Sequence, residues 1–318
     1  MGLSPAEHDI VLLTGGTGGA KLALGIAEAF GPGRLSAIVN TGDDIEIYGA
    51  HVSPDPDLVC FWLAGLIDER GWGLAGDTFA VMDGLRELGV DVWFNLGDRD
   101  LAWCVERARM LAAGLSPRAA LARLGEAIGV TARVLPMSDQ EVRTWVRTPA
   151  AGWCGFQEFM IRARAAGPLE GLEFRGADTA GAGEGVLEAI GQASVIVIGP
   201  SNPLASIAPI LAVPGIREAL KAAPAPVVAV SPIVGGEVLK GPTQAFMAFA
   251  GLPASAAGVR DFYGELLDGI VADEPLEGPP SLQTQTRMGD AAGRMRLARE
   301  TVAFAESLPA PAGARGSS

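Results

Sequence analysis

Two kinds of apolar pattern run along this chain. The first is the short unbroken run: residues 10–13, Ile-Val-Leu-Leu, and residues 35–40, Leu-Ser-Ala-Ile-Val-Asn. Continuous rather than alternating runs predict strands covered on both faces, as in a parallel sheet. The second is the helical spacing of Lys21–Phe30, which joins those two strands. Helices are expected over Leu58–Asp68, Phe79–Leu88, Leu101–Ala113 and Pro117–Ile128. Strands are expected over Val92–Leu96 and Thr131–Pro136. The middle then changes character. Val142–Arg147, Gly155–Arg162 and Leu172–Arg175 read as short elements of a smaller, partly antiparallel insertion. The parallel pattern returns with Ser194–Ile198, Val227–Val230 and a last strand at Gly269–Ala272, closed by a helix over Asp290–Ser307.

Strands alternating with helices predict an α/β fold: a three-layer, doubly wound, mostly parallel sheet with a small inserted α+β lobe. The core covers about residues 10–136 and 190–308 and the lobe about 137–189, all within one domain over 1–308. The Pro/Ala/Gly-rich stretch 309–318 reads as a disordered tail. Ligands on such sheets bind beyond the carboxyl ends of the strands. The polar and glycine-rich loops of this chain follow its predicted strands, which points to a ligand-binding enzyme core.

The first of those loops is Thr14-Gly15-Gly16-Thr17-Gly18-Gly19-Ala20-Lys21. Glycine lets the main chain approach a ligand closely, and the helix behind it points N–H groups and a positive dipole end at that ligand. A di- or triphosphate suits such a place; a tight turn without ligand is the alternative. The spacing is not that of a P-loop, because Leu22 follows Lys21. Nor is it a strict dinucleotide fingerprint, because Lys21 holds the third glycine position.

Asp43 and Asp44 end the second strand. Paired oxygens suit Mg²⁺, although one of the two is expected to cap a turn. In Ser53-Pro54-Asp55-Pro56-Asp57 the prolines fix a helix entry and Asp57 makes a good N-cap; capping is expected to be the whole role of one of Asp55 and Asp57, and the other could bind a hydroxyl or a metal. Arg99 either pairs with phosphate or forms an ion pair with Asp98 or Asp100. In Gly199-Pro200-Ser201-Asn202-Pro203 the polar side chains either meet a base, ribose or phosphate, or cap the next helix. With only His8 and His51 present, no Ser/Cys–His arrangement can be built. Substrate positioning, charge neutralisation and metal assistance remain, the usual means of phosphoryl transfer.

Composition narrows the classes further. The chain has 318 residues, is 49% hydrophobic and carries a formal net charge of −13. Broad nucleic-acid binding is excluded, since it is driven by neutralising phosphates with basic side chains. An anionic ligand must be held by local features. Cys60, Cys104 and Cys154 are far apart and odd in number, which argues against a disulfide framework or zinc site and for buried thiols in a reducing cytoplasm. No targeting segment and no apolar span of transmembrane length is visible, so a cytoplasmic protein away from membranes is expected.

Taken together, the glycine loop, Asn40-Thr41-Gly42-Asp43-Asp44, Ser53-Pro54-Asp55-Pro56-Asp57, Leu96-Gly97-Asp98-Arg99-Asp100, Leu135-Pro136-Met137-Ser138-Asp139, Gly199-Pro200-Ser201-Asn202-Pro203 and Ala229-Val230-Ser231-Pro232-Ile233 resemble a known family. It is the 2-phospho-L-lactate transferases of coenzyme F-420 biosynthesis. The likeness runs from about residue 10 to about 305, and its specificity lies in motif order and spacing. The resemblance implies a homodimeric transferase with a Rossmann-like core. A guanosine diphospho donor, supplied by a guanylyltransferase, gives its phospho-lactyl or phospho-enolpyruvyl group to the ribityl hydroxyl of the deazaflavin Fo. GMP leaves, and Mg²⁺ is required. On this reading Gly15, Gly16, Thr17, Gly18, Gly19, Lys21, Asn40, Ser201 and Asn202 bind the donor. Asp43 and Asp44 hold the metal and, with Asp57, serve catalysis; Asp57 and Asn95 contact Fo. Asn95 departs from the basic residue often found there. Two other readings compete. One is a non-catalytic, nucleotide-sugar-binding regulator of the same superfamily, disfavoured by Ile45-Glu46-Ile47-Tyr48 after the acidic pair. The other is a nucleotide-dependent oxidoreductase, disfavoured by the missing third glycine.

Overall fold

The strands β1 (Ile10–Thr14), β2 (Leu35–Val39), β3 (Arg133–Pro136), β4 (Val195–Ile198), β5 (Val227–Val230), β6 (Gly269–Ala272) and β7 (Ser281–Gln283) form one sheet. In β1, β2, β4, β5 and β6 every residue is buried, which is why their sequences are unbroken apolar runs. The computed structural model describes residues 9–238, 241–278 and 280–309. His8 and the expected tail from 310 onward lie outside the described residues.

The strand order is β7-β6-β5-β4-β1-β2-β3. Every pairing is parallel, so the sheet is more uniform than the mostly parallel one expected. Leu12 of β1 lies beside Ala37 of β2 and Val197 of β4. Side chains alternate across the sheet and feed two cores. Val11 and Leu13 pack with Ile38 and Ile198 on one face. Ile10 and Leu12 pack with Leu22, Ile26 and Leu297 on the other. The helices α1 (Gly16–Phe30), α2 (Pro54–Leu63) and α4 (Ala291–Ser307) cover that second face, with α3 (Asp98–Ala112) beyond the hairpin described below. Helices thus flank both sides of a Rossmann-like α/β sheet. Gly25 lets α1 lie against α4, since a Cβ there would sit 2.7 Å from the Arg294 carbonyl oxygen.

The chain proceeds outward through β1, β2 and β3, then returns to lay β4 against the other side of β1. Between β3 and β4 it builds a three-stranded antiparallel sheet from Arg143–Thr148, Gly152–Gly155 and Gly171–Arg175, with the helix Phe156–Ile161. The reversal of strand order between β1 and β4 is a switch point, where a crevice opens beyond the carboxyl ends.

Four expectations change. Val92–Leu96 forms no strand. It is an extended loop, tied by the Phe94 amide to the Tyr48 hydroxyl at 3.2 Å, and its apolar residues line a cavity rather than a sheet. Helix α1 starts at Gly16, not Lys21, and α2 starts at Pro54, not Leu58, the latter because proline is tolerated in a first helical turn. Gly269–Ala272 is not the last strand, since β7 pairs outside it. A hairpin over Ile45–Ile47 and Ala50–Val52 went unread; its turn carries Tyr48 at φ 53° and Gly49 at φ 74°. All three cysteines are free, with Cys60 and Cys104 buried and Cys154 half-buried. Among the described residues no single helix is long and apolar enough to cross a membrane.

Candidate functional site

The loops after β1 and β4 meet at the switch point. Ser201 Oγ donates to the Gly15 carbonyl at 2.7 Å and accepts from the Gly15 amide at 3.2 Å. The glycines of the first loop mostly serve this meeting of chain with chain. A Cβ on Gly18 would lie 2.3 Å from the Pro200 carbonyl oxygen, one on Gly19 1.6 Å from Thr14 Oγ1, and one on Gly15 2.4 Å from Asp55 Oδ2. Only Gly16, at φ +65°, faces open space. Gly15, Gly16 and Gly18 all line the main cavity, and Gly16 alone of the four glycines has room for a side chain. Asn202 is a helix cap: its Oδ1 accepts from the Leu204 and Ala205 amides, both at 3.0 Å.

The anion held at the N-terminus of α1 is a carboxylate of the same chain. The Gly16 amide donates to Asp55 Oδ1 at 2.6 Å. Asn40 Nδ2 donates both to Asp55 Oδ2, at 3.0 Å, and to Asp43 Oδ1. One amide thus holds two buried carboxylates together. Burial, with the charges of Asp55 and Asp44, pushes the Asp43 carboxyl well above the usual range. Burial likewise raises Asp55 to about 6. The pair Asp43 and Asp44 is split. Asp43 and Asp55 face the main cavity, whereas Asp44 turns behind it, accepting from Ser53 Oγ at 2.7 Å and lying 3.2 Å from His51 Nε2. Burial works against the His51 charge, but Asp44 and Glu46 raise its pKa overall.

Asp57 is not an N-cap. Ser53 holds that position, and Asp57 sits one turn inside α2. Its carboxylate takes the buried Arg107 guanidinium through both oxygens and the Trp103 indole N–H at 2.7 Å. Burial pushes the Asp57 carboxyl up, and Arg107 pulls it back. Burial also works against the Arg107 charge, but Asp57 outweighs it. Beside them, Asp100 is raised to about 7 by burial, then by the charges of Asp57 and Asp77. Ligand atoms of Asp57, Asp100 and Cys104 lie within 4.8 Å of one another. They make a poor cation site, because Arg107 and Trp103 occupy Asp57 and burial keeps the Cys104 thiol protonated. Asp43 and Asp55 fit better: both offer hard oxygens, and a divalent ion would offset the burial and the neighbouring negative charge that raise their pKa values.

These groups line a cavity of about 1090 Å³. Its lining is rich in aromatic rings, with Phe61, Trp72, Trp93, Phe94 and Phe156, and Trp93 and Phe94 meet edge to face. Arg70 stacks on Trp72 at 4.4 Å and Arg162 on Trp93 at 5.1 Å. Asn95 also lines the cavity, with its Oδ1 accepting from Arg86 Nη2 at 2.6 Å. Lys21 lines it too, with Nζ 3.5 Å from the Met288 carbonyl oxygen and 5.6 Å over the Trp62 ring. Arg99 stays outside, donating to the Ala75 carbonyl at 3.0 Å. Asp98 caps the helix Ala80–Glu87 through the Ala80 and Val81 amides. Sequence reading missed Arg107, the aromatic lining, and the link from Asp55 to α1. The apolar run of residues 92–96 carried a signal for that lining; the contact of Gly16 with Asp55, across 39 positions, carried none.

An all-parallel Rossmann-like sheet with an acidic, aromatic-lined cavity at its switch point defines a class of ligand-binding α/β enzyme. Within it, the chain belongs to the 2-phospho-L-lactate transferase CofD family, whose model matches residues 10–299. It is thus a transferase of coenzyme F-420 biosynthesis. It is 43% identical to a phosphoenolpyruvate transferase of Kitasatospora aureofaciens, over 94% of this chain and 98% of that protein. It is 39% identical to a 2-phospho-L-lactate transferase of Methanosarcina mazei, over 83% of this chain and 87% of that protein. Among solved structures, a Bacillus halodurans member of the UPF0052 family aligns with a TM-score of 0.61 at 18% identity, over 93% of this chain and 99% of that one. That likeness shows the fold.

Proposed function

We propose that the protein transfers a phospho-enolpyruvyl group from a guanosine diphospho donor to the terminal ribityl hydroxyl of Fo, releasing GMP. The hydroxyl oxygen bonds to the distal phosphorus as the bridging bond to GMP breaks, and GMP keeps the bridging oxygen. The hydroxyl proton passes to a cavity carboxylate. Asp100, raised to about 7, is matched to that task near neutral pH. Asp43 and Asp55 would hold Mg²⁺, which supplies neutralisation of the phosphate charge. Asp57 orients rather than accepts, since its oxygens are committed to Arg107 and Trp103. The deazaflavin ring suits the aromatic lining, which Asn95 shares. The working unit is a homodimer, fed by a guanylyltransferase.

One observation carries this reading: a single cavity of about 1090 Å³ is lined both by the Asn40-linked pair Asp43 and Asp55 beside the N-terminus of α1 and by the aromatic rings of Phe61, Trp72, Trp93 and Phe94. The choice of enolpyruvyl over lactyl follows the relative from Kitasatospora, which aligns over more of this chain than the Methanosarcina relative does. The test is an incubation with Fo, Mg²⁺, GTP, a guanylyltransferase and either phosphoenolpyruvate or phospholactate, with product identified by mass. A dehydro product from phosphoenolpyruvate is expected. Only the saturated product from phospholactate would reverse the choice of acid, and no modified Fo from either would overturn the reading.

A further inference from the structure

The cavity carries many carboxylates and few cations. Asp43, Asp55, Asp57 and Asp100 all line it, in a chain whose net charge is already −13. Among the described lining residues the basic side chains are Lys21 and Arg287. The two are linked through the loop, since Lys21 Nζ lies 3.5 Å from the carbonyl oxygen of Met288, the residue next to Arg287.

Arg287 sits on the loop between β7 and α4. Because β7 runs parallel to its neighbours, this loop also leaves the carboxyl end of the sheet, where ligands bind. The loop is braced at both ends. The Thr284 amide donates to the Ala272 carbonyl at 2.8 Å, and Arg296 holds both the Thr284 hydroxyl, at 2.9 Å, and the Gln285 carbonyl. Asp290 caps α4 through the Gly293 amide at 2.7 Å. Arg287 itself is exposed at the cavity, and its side chain has no hydrogen-bond or ion-pair partner among the described residues. Bracing a loop while leaving its guanidinium uncommitted is the arrangement of a binding residue, and a planar guanidinium matches phosphate through two parallel hydrogen bonds.

We propose that Arg287 binds the phosphate of the departing nucleotide. This rests on the proposed transfer reaction and adds a direction to it. The distal, reacting phosphorus lies toward Asp43 and Asp55. The phosphate that leaves with the nucleoside lies toward Lys21 and Arg287, where positive charge stabilises it as the bridging bond breaks. The contact adds a cation that the motif-bearing loops do not supply.

The test measures binding of GMP, GDP and inorganic pyrophosphate to the wild type, Arg287→Ala, Arg287→Lys and Arg287→Glu, with Fo binding followed in parallel by fluorescence. Arg287→Ala is expected to weaken GMP binding by about tenfold to a hundredfold. Arg287→Lys should restore part of the loss, Arg287→Glu should deepen it, and Fo affinity should hold. Wild-type GMP affinity in Arg287→Ala would overturn the inference and leave the transfer reading standing. Pyrophosphate binding that depends on Arg287, without GMP binding, would keep the anion site and sink the guanosine donor. A wild type that binds none of the three anions would overturn both.

Discussion

At the scale of single residues, neighbours decide what a side chain can do. Asp57 illustrates this. Read along the chain it is an N-cap, a role that Asn fills equally well. In the fold it is one half of a buried ion pair with Arg107, braced by Trp103. Removing one charge of such a pair strands the other in a low-dielectric interior. Asp57→Asn is therefore expected to lower unfolding free energy by about 3 kcal/mol in a denaturant titration. An unchanged midpoint would show that Arg107 does not depend on this partner. Asp55 carries the opposite lesson. Its neighbours in sequence suggest a cap or ligand for its own helix, yet it closes the N-terminus of α1. No local pattern encodes such a contact, because the two partners come from different elements and are joined only by the fold.

At the scale of elements, much was legible. The strands β1, β2, β4, β5 and β6 announce themselves as unbroken apolar runs, because burial on both faces removes any need for polar positions. The same logic misleads at Val92–Leu96, whose apolar residues face a cavity. β7 was missed because an edge strand of three residues, exposed at both ends, leaves little apolar signal. The glycine loop was found, but what its glycines also do, admit the β4 loop and Asp55 at close range, was not. This separates two substitutions. Gly18→Ala drives a Cβ into the Pro200 backbone and should force β1 and β4 loops apart, at a cost of about 3 kcal/mol. Gly16→Ala meets no atom and incurs only left-handed strain, about 1–2 kcal/mol. Thermal melts of the two variants check the order. Equal melting points would mean that the loop is not clamped between β1 and β4.

At the scale of the whole molecule, strand order turns scattered motifs into one site. Ser201 lies 186 positions from Gly15, yet the return of the chain from β3 to β4 puts the two in hydrogen-bond contact. Motif order in the sequence was enough to suggest the family, and the match over residues 10–299 agrees with it. It was not enough to choose among carboxylates, which takes knowledge of the direction in which each points. That choice is the centre of the account: Asp43 and Asp55 face the cavity and share Asn40, while Asp44 is turned away toward Ser53 and His51. The most direct measurement is the rate of Fo modification against Mg²⁺ concentration for wild type, Asp43→Asn and Asp44→Asn. Asp43→Asn should lose at least about a hundredfold in rate, and Asp44→Asn should stay within about tenfold of wild type at saturating Mg²⁺. A full-rate Asp43→Asn enzyme beside an inactive, folded Asp44→Asn one would contradict the account.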